Sequence, residues 1–252
     1  MNGDGSRPQP KYRRIAEELK GAIADGTYAP GDRLPGENDL MATHQVARMT
    51  ARQALSVLQS EGIAEARKGA GVFVRAVRPL RRRSVPRVAR EQWGAGRSVW
   101  EADAEGREVS VDRVQVSEEP VPDAIGVVLD VGPNAPVCVR RRRYALDGEP
   151  VLLATSYLPA ELVRGTPVTE PDTGPGGLYA RLTELGHEPV RFREEVRARM
   201  PSAEETDALA LSAGTPVMLV CRTAYTEDGR AVEVNDMILR ADAYVLEYGF
   251  NA

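Results

Sequence analysis

Arg48-Met49-Thr50-Ala51-Arg52-Gln53-Ala54-Leu55-Ser56-Val57-Leu58-Gln59-Ser60-Glu61-Gly62 has the spacing of one amphipathic helix. Val46, Leu55 and Leu58, with Ala51 and Ala54, mark its apolar side. Arg48, Met49 and Arg52 fall near its N-terminal end on the other side, and Gly62 is placed to end it. A short helix presenting two arginines and a methionine at one end suits a DNA major groove, which admits a helix and offers guanine edges that arginine can grip bidentately. Many solvated helix faces carry two arginines, so the neighbouring segments must carry the argument.

Upstream, Tyr12, Ile15, Ala16, Leu19 and Ile23 recur at helical spacing, predicting a helix of about four turns that stops near Gly26. Tyr28 to Asp32 reads as a turn, Glu37 to His44 as a second short helix with Leu40 and Met41 inward, and Gln45-Val46-Ala47 as the turn into the third. Helix, helix, tight turn, helix is a helix-turn-helix arrangement. Downstream, Ile63 to Arg67 and Val72 to Val74 are β-prone runs around Lys68-Gly69-Ala70-Gly71, a hairpin whose glycines let backbone approach a phosphate or minor groove.

Residues 11–75 closely resemble the winged helix of GntR-family bacterial transcription regulators. The matching pieces are Tyr12 to Ile23, Pro30-Gly31-Asp32-Arg33-Leu34-Pro35, Arg48 to Leu55, Glu61-Gly62 and Lys68 to Val74. The resemblance implies base reading by Arg48, Thr50 and Arg52, with Met49 beside them, and DNA contact at Gly69 of the wing next to Lys68. Three positions depart from the family pattern. Asn38 stands where arginine is usual, and Ala70 where lysine is frequent. Ala47 replaces a Ser or Thr, removing a helix N-cap worth about 0.5–2 kcal/mol. Asn38, Arg48, Met49, Thr50, Arg52, Lys68 and Gly69 are the candidate DNA-binding residues.

The chain has 252 residues, 42% hydrophobic and 28% charged, enough for two globular domains. Its net charge of −4 is divided unevenly: residues 1–83 are net +6 and residues 84–252 net −10. A basic head on an acidic body fits a DNA-binding domain joined to a separate second one. Neither a signal peptide nor a membrane span is evident, so a cytoplasmic protein is expected. Cys138 and Cys221 lie in apolar runs without a CxxC motif or Cys/His cluster and read as reduced core thiols. Residues 1–10 read as a disordered leader and 76–97 as a linker. The linker carries Arg81-Arg82-Arg83, read as a solvated tether or an extra phosphate contact, and Trp93, which with Trp100 just beyond it reads as domain packing.

From residue 98 the pattern is mostly strand. Val109 to Val116 alternates. Val137 to Leu146 and Val151 to Leu158 flank Asp147-Gly148, a strong hairpin signal, and Val217 to Thr226 and Ala231 to Arg240 flank Asp228-Gly229. Val190 to Met200 is a further strand, and Tyr244 to Phe250 is expected to close the sheet. Helices are expected over Pro122 to Leu129, Leu178 to Leu185, and from the capping box at Ser202 to Leu211. The expected fold is α+β: a winged helix followed by a domain built on an antiparallel sheet with helices. Residues 98–252 are similar to the UTRA effector-binding domain of the HutC subfamily, whose fold resembles chorismate lyases. That likeness rests on Arg140 to Tyr144 with Asp147 to Pro150, on Thr155 to Pro159, on Leu178-Tyr179, and on Arg222 to Tyr225 through Glu233.

Alternation sends Arg140 and Arg142 to one sheet face and Arg141 and Arg143 to the other. The bland reading is a solvated face with salt bridges; the functional one has Arg142 holding an anionic ligand. The UTRA resemblance implies effector roles for Arg142 and Glu233, with Tyr144 and Thr155 in the same motifs. A glutamate that sugar-phosphate-binding relatives use falls on Ala154. Asp172 to Gly177 is a glycine-rich loop before a helix, able to present N–H groups to an anion, with Gly176 as its candidate residue. It lacks a Walker lysine. His44 and His187 have no partner at metal-ligand spacing, and Ser110 and Ser156 have no nucleophile elbow. No catalytic residue, metal or cofactor is expected. The leading expectation is a homodimeric regulator, most simply a repressor, that binds an inverted-repeat operator and responds to a small effector. The alternatives are a second domain that only dimerises, and a lyase-like enzyme.

Overall fold

A computed structural model describes residues 9–76, 79–83 and 106–249. The expected leader, 1–10, falls almost wholly outside these residues, as do Trp93, Trp100 and most of the expected linker. The chain divides into two compact units, residues 1–78 with Leu211–Thr215, and 79–210 with 216–252.

In the first unit, α1 (Lys11–Ala24), α2 (Glu37–His44) and α3 (Arg48–Ser60) enclose a core of Ile15, Leu19, Leu34, Leu40, Ala51, Leu55 and Leu58. The apolar stripe of α3 lies inward, so the helix is held by packing, not by its cap. Ala47, at the N-cap, makes no side-chain hydrogen bond. At α2 the Asp39 carboxylate instead accepts from Gly36 N (2.9 Å). Gln45, with φ 49°, reverses the chain between α2 and α3. The wing is β1 (Ala64–Arg67) paired antiparallel with β2 (Gly71–Val74). Gly71 has φ 117°, and a Cβ there would sit 2.9 Å from Arg33 Nε, so both backbone and space demand glycine.

The second unit is built on six antiparallel strands in the order β4-β5-β6-β9-β8-β7. They are β4 (Val109–Pro120), β5 (Pro136–Leu146), β6 (Glu149–Pro159), β7 (Arg191–Arg199), β8 (Val217–Tyr225) and β9 (Ala231–Arg240). Asp147 and Gly148 both have positive φ, as the tight β5–β6 turn requires. Helix α4 (Asp123–Leu129) covers Val137 and Val139 on one face. A short α5 (Ala160–Val163) follows β6. Helix α6 (Gly177–Glu184) packs Leu178, Tyr179 and Leu182 over Leu158, Ala224 and Val232 on the other face. Ser202 and Glu205 form the expected capping box on α7 (Ala203–Ala208).

Two expectations need correction. Tyr244 to Phe250 does not close the sheet. Tyr244–Glu247 forms β10, which pairs in parallel with β3 (Leu80–Arg83) as a separate two-stranded sheet, and Phe250 lies outside the described residues. The arginine triplet is no simple tether either. Leu80 and Tyr244 belong to the sheet core. Arg82 is 1% exposed and ion-paired with Glu194 (2.7 Å), while Arg81 pairs with Glu247 (3.4 Å). β3 thus behaves as part of the second unit because its apolar start and its central arginine both find partners there.

Candidate nucleic-acid interface and ligand cavity

The N-terminal end of α3 carries the candidate interface. Met49 is 68% exposed. Arg48 and Arg52 project beside it. Arg52 Nε donates to Glu37 Oε1 (2.7 Å) and Arg48 Nη2 to Asn38 Oδ1 (3.1 Å). The Arg52 guanidinium holds the Glu37 carboxyl below its ordinary range. Asn38 therefore positions Arg48, a role the sequence could not assign. Thr50 is half-buried in the first turn of the helix. Lys68 and Gly69 are exposed at the wing tip, Gly69 with φ 75°. Arg67 stacks on Phe73, 4.4 Å from the ring centre, and so stiffens the wing base. All of this surface is exposed and its cations are weakly tied, which suits a polyanion.

In the second unit, register decides which side chains meet. Arg140 pairs with Ser156, Ser156 with Asn235, Asn235 with Arg222, and Arg222 with Glu194, one polar row running across five strands. Arg142 stands one step along the same face of β5. Above the row, α6 and the loop before it roof a cavity of about 480 Å³, within the usual size of small-molecule sites. Its lining includes Arg142, Tyr144, Gly176, Tyr179, Arg222 and Glu233.

Glu233 accepts from Ser156 Oγ (2.6 Å) and Tyr179 Oη (2.7 Å). Arg142 Nη2 donates to Ser156 Oγ. Arg140 also lines the cavity but is engaged by the loop, donating to the carbonyls of Val168, Glu170 (2.6 Å) and Pro171 (3.0 Å). Other atoms are left over: Arg142 Nε, Arg222 Nε and Nη1, and Asn235 Oδ1 are buried without a hydrogen-bond partner. On the reverse face Arg141 pairs with Glu119 (2.6 Å) and Arg143 with Asp112, the salt bridges expected of a solvated face, while Arg140 and Arg142 line the cavity.

Of the candidate effector residues, the structure brings Arg142, Tyr144, Gly176 and Glu233 together at the cavity. Thr155 is not among them. It pairs with Arg141 and Asp236 on the opposite face, and Ser156 takes the inward position. Sequence reading missed Arg222 and Asn235. Both lie in alternating strands, but a register shift between Ala224 and Tyr225 breaks any parity counted from the Asp228-Gly229 turn. Cys138 and Cys221 are both free thiols, and burial pushes Cys221 up to about 12. Among the described residues no cluster of His, Cys, Asp or Glu could hold a metal, and no helix is long and apolar enough to cross a membrane.

Two family models match the chain: "Bacterial regulatory proteins, gntR family" over residues 11–74 and "UTRA domain" over 104–245. An HTH-type transcriptional regulator of Streptomyces coelicolor, itself uncharacterised, is 32% identical over 96% of this chain and 93% of its own. The HTH-type transcriptional repressor NagR of Bacillus subtilis is 28% identical over 97% and 96%. The crystal structure of PhnF from Mycobacterium smegmatis superposes with a TM-score of 0.59 at 28% identity, covering 94% of this chain and 99% of that one. These relatives are regulators, not enzymes. The chain belongs to the GntR family: it is a DNA-binding transcriptional regulator whose winged helix precedes a UTRA effector-binding domain.

Proposed function

We propose that this GntR-family regulator is a cytoplasmic repressor that binds an inverted-repeat operator as a homodimer and is released by a small effector held in the cavity of its UTRA domain. The head would be 11–75, the linker 76–97 and the effector domain 98–252. Arg48 and Arg52 read bases in the major groove, Met49 and Thr50 pack against the groove wall and backbone, and Lys68 and Gly69 approach phosphate or minor groove. Arg142, Tyr144, Glu233 and Gly176 contact the effector. The observation that carries the reading is the cavity itself: a domain serving only to dimerise gains nothing from charged side chains buried around a 480 Å³ space. A coupling of about 1–3 kcal/mol between the sites is typical of such regulators.

Selection of bound DNA from a random pool, followed by gel shift, tests this reading. The expected product is an inverted repeat with half-sites about one helical turn apart, bound by two chains. A single unpaired half-site bound by one chain would sink the dimer, and affinity unmoved by any cavity ligand would sink the switch.

A further inference from the structure

We infer that the ligand of this cavity is a compact organic acid with two anionic groups, a short dicarboxylate or phosphorylated acid, with one anionic group on Arg142 and the other on Arg222. The inference rests on the cavity being the effector site. Arg222 carries it. Its side chain is 2% exposed, and it lies under the cavity between two aromatic rings, 5.4 Å from the Tyr179 centroid and 5.9 Å from that of Phe192. Two of its nitrogens have no hydrogen-bond partner. Burying a guanidinium in that condition is strongly unfavourable unless an anion completes it. Arg142, Arg140 and Arg222 bring three positive charges to the lining, and Glu233 is the buried carboxylate that opposes them. With Asp172 exposed at the loop, the lining carries three arginines against two carboxylates and is net positive.

The geometry favours two separate anionic groups. Arg142 stands on β5 and Arg222 on β8, with β6 and β9 between them. With Arg142 two residues off the row of Arg222, their backbones are about 16 Å apart at the usual strand spacing and rise. Two arginine side chains leaning inward shorten that gap to the length of a few carbon atoms. Asn235, the cross-strand neighbour of Arg222, has Oδ1 buried and unpartnered. A hydroxyl or amino group on the ligand supplies the missing donor. The N-terminal end of α6, where Leu178 lines the cavity, adds further positive potential at its edge.

Thermal melting of the full chain tests this, with succinate, malate and 3-phosphoglycerate as probes and lactate and glycerol as singly charged and neutral controls, at matched ionic strength. At least one dianion is expected to raise the wild-type melting temperature in a concentration-dependent way, malate more than succinate, and the controls not to. Arg142→Met and Arg222→Met should each abolish that shift. Without any probe, Arg222→Met should melt roughly 2–10 °C above wild type, because it removes a buried guanidinium whose Nε and Nη1 make no hydrogen bond. Arg222→Gln, which keeps polarity without charge, guards against a packing artefact. The proposal is overturned if both Arg222 variants melt lower than wild type without ligand, if no dianion shifts the wild type, or if the probes that bind do so as well in Arg222→Met. Binding of lactate or glycerol that is lost in Arg142→Met but kept in Arg222→Met sinks the dianion and leaves the effector site standing. Loss of neither in any cavity variant sinks the site as well.

Discussion

The arginines of the head and those of the cavity are opposites. Arg48 and Arg52 are exposed, and each already has a partner, Asn38 or Glu37. Arg222 is buried and lacks partners for two nitrogens. An exposed ion pair is cheap to exchange, so the head can trade Glu37 for a phosphate or a base without reorganising. A buried unpaired cation is stored cost, relieved only when the right anion arrives. One region is ready for a ligand that is everywhere charged; the other discriminates, because only one shape of charge relieves it. Affinity for DNA is therefore expected to depend on salt more steeply than affinity for the effector.

The sharpest way to break this comparison is salt. A dimer contacting about six phosphates should lose about 10³-fold in DNA affinity between about 50 and 200 mM salt. Effector binding, screened from solvent, should change far less over the same range. Titrations of both in one buffer series check this, and equal slopes would erase the distinction. Next in size is Arg52→Ala, expected to weaken operator binding about ten- to a hundredfold by gel shift while leaving the melting curve in place. A smaller effect is expected from Glu37→Gln, which frees Arg52. Non-specific DNA should bind about two- to fivefold tighter, read by fluorescence anisotropy on random DNA. The smallest concerns Glu119. The Arg141 guanidinium, aided by the Ser117 hydroxyl, lowers its carboxyl from 4.5 to about 2. Because the folded value lies below the ordinary one, its stabilising share is complete above about pH 4.5 and fades as pH falls towards 2. Melting of Glu119→Gln should show a flatter acid limb than wild type.

The head was legible almost residue by residue because its signals are local. Apolar spacing gave α1 and α3, and glycines gave the wing; only the Asn38–Arg48 contact needed three dimensions. The second unit was legible as strands and turns but not as a site. Arg142 and Glu233 were found through resemblance. Arg222, 11 residues before Glu233 in the chain, was passed over because its meaning comes from the β8–β9 register and from the roof that α6 supplies. Thr155 was chosen over Ser156 for want of the same register, an error of one residue that a pleated strand turns into the wrong face. β10 was misplaced because its partner, β3, is more than 160 residues away in sequence, and neither run is long enough to announce a parallel pair.

The Arg82–Glu194 pair makes the cavity's charge audible at a distance. Glu194 is the cross-strand neighbour of Arg222, and its carboxylate is held by Arg82 on β3, the first described strand after the head's unit. The signs alternate along this line: cation, anion, cation. The Glu194 carboxylate acts on Arg222 only through space, being held by Arg82 and by Tyr248 Oη (3.1 Å). An anion bound at Arg222 as inferred above would therefore be felt as charge at β3, with no requirement that the sheet itself bend.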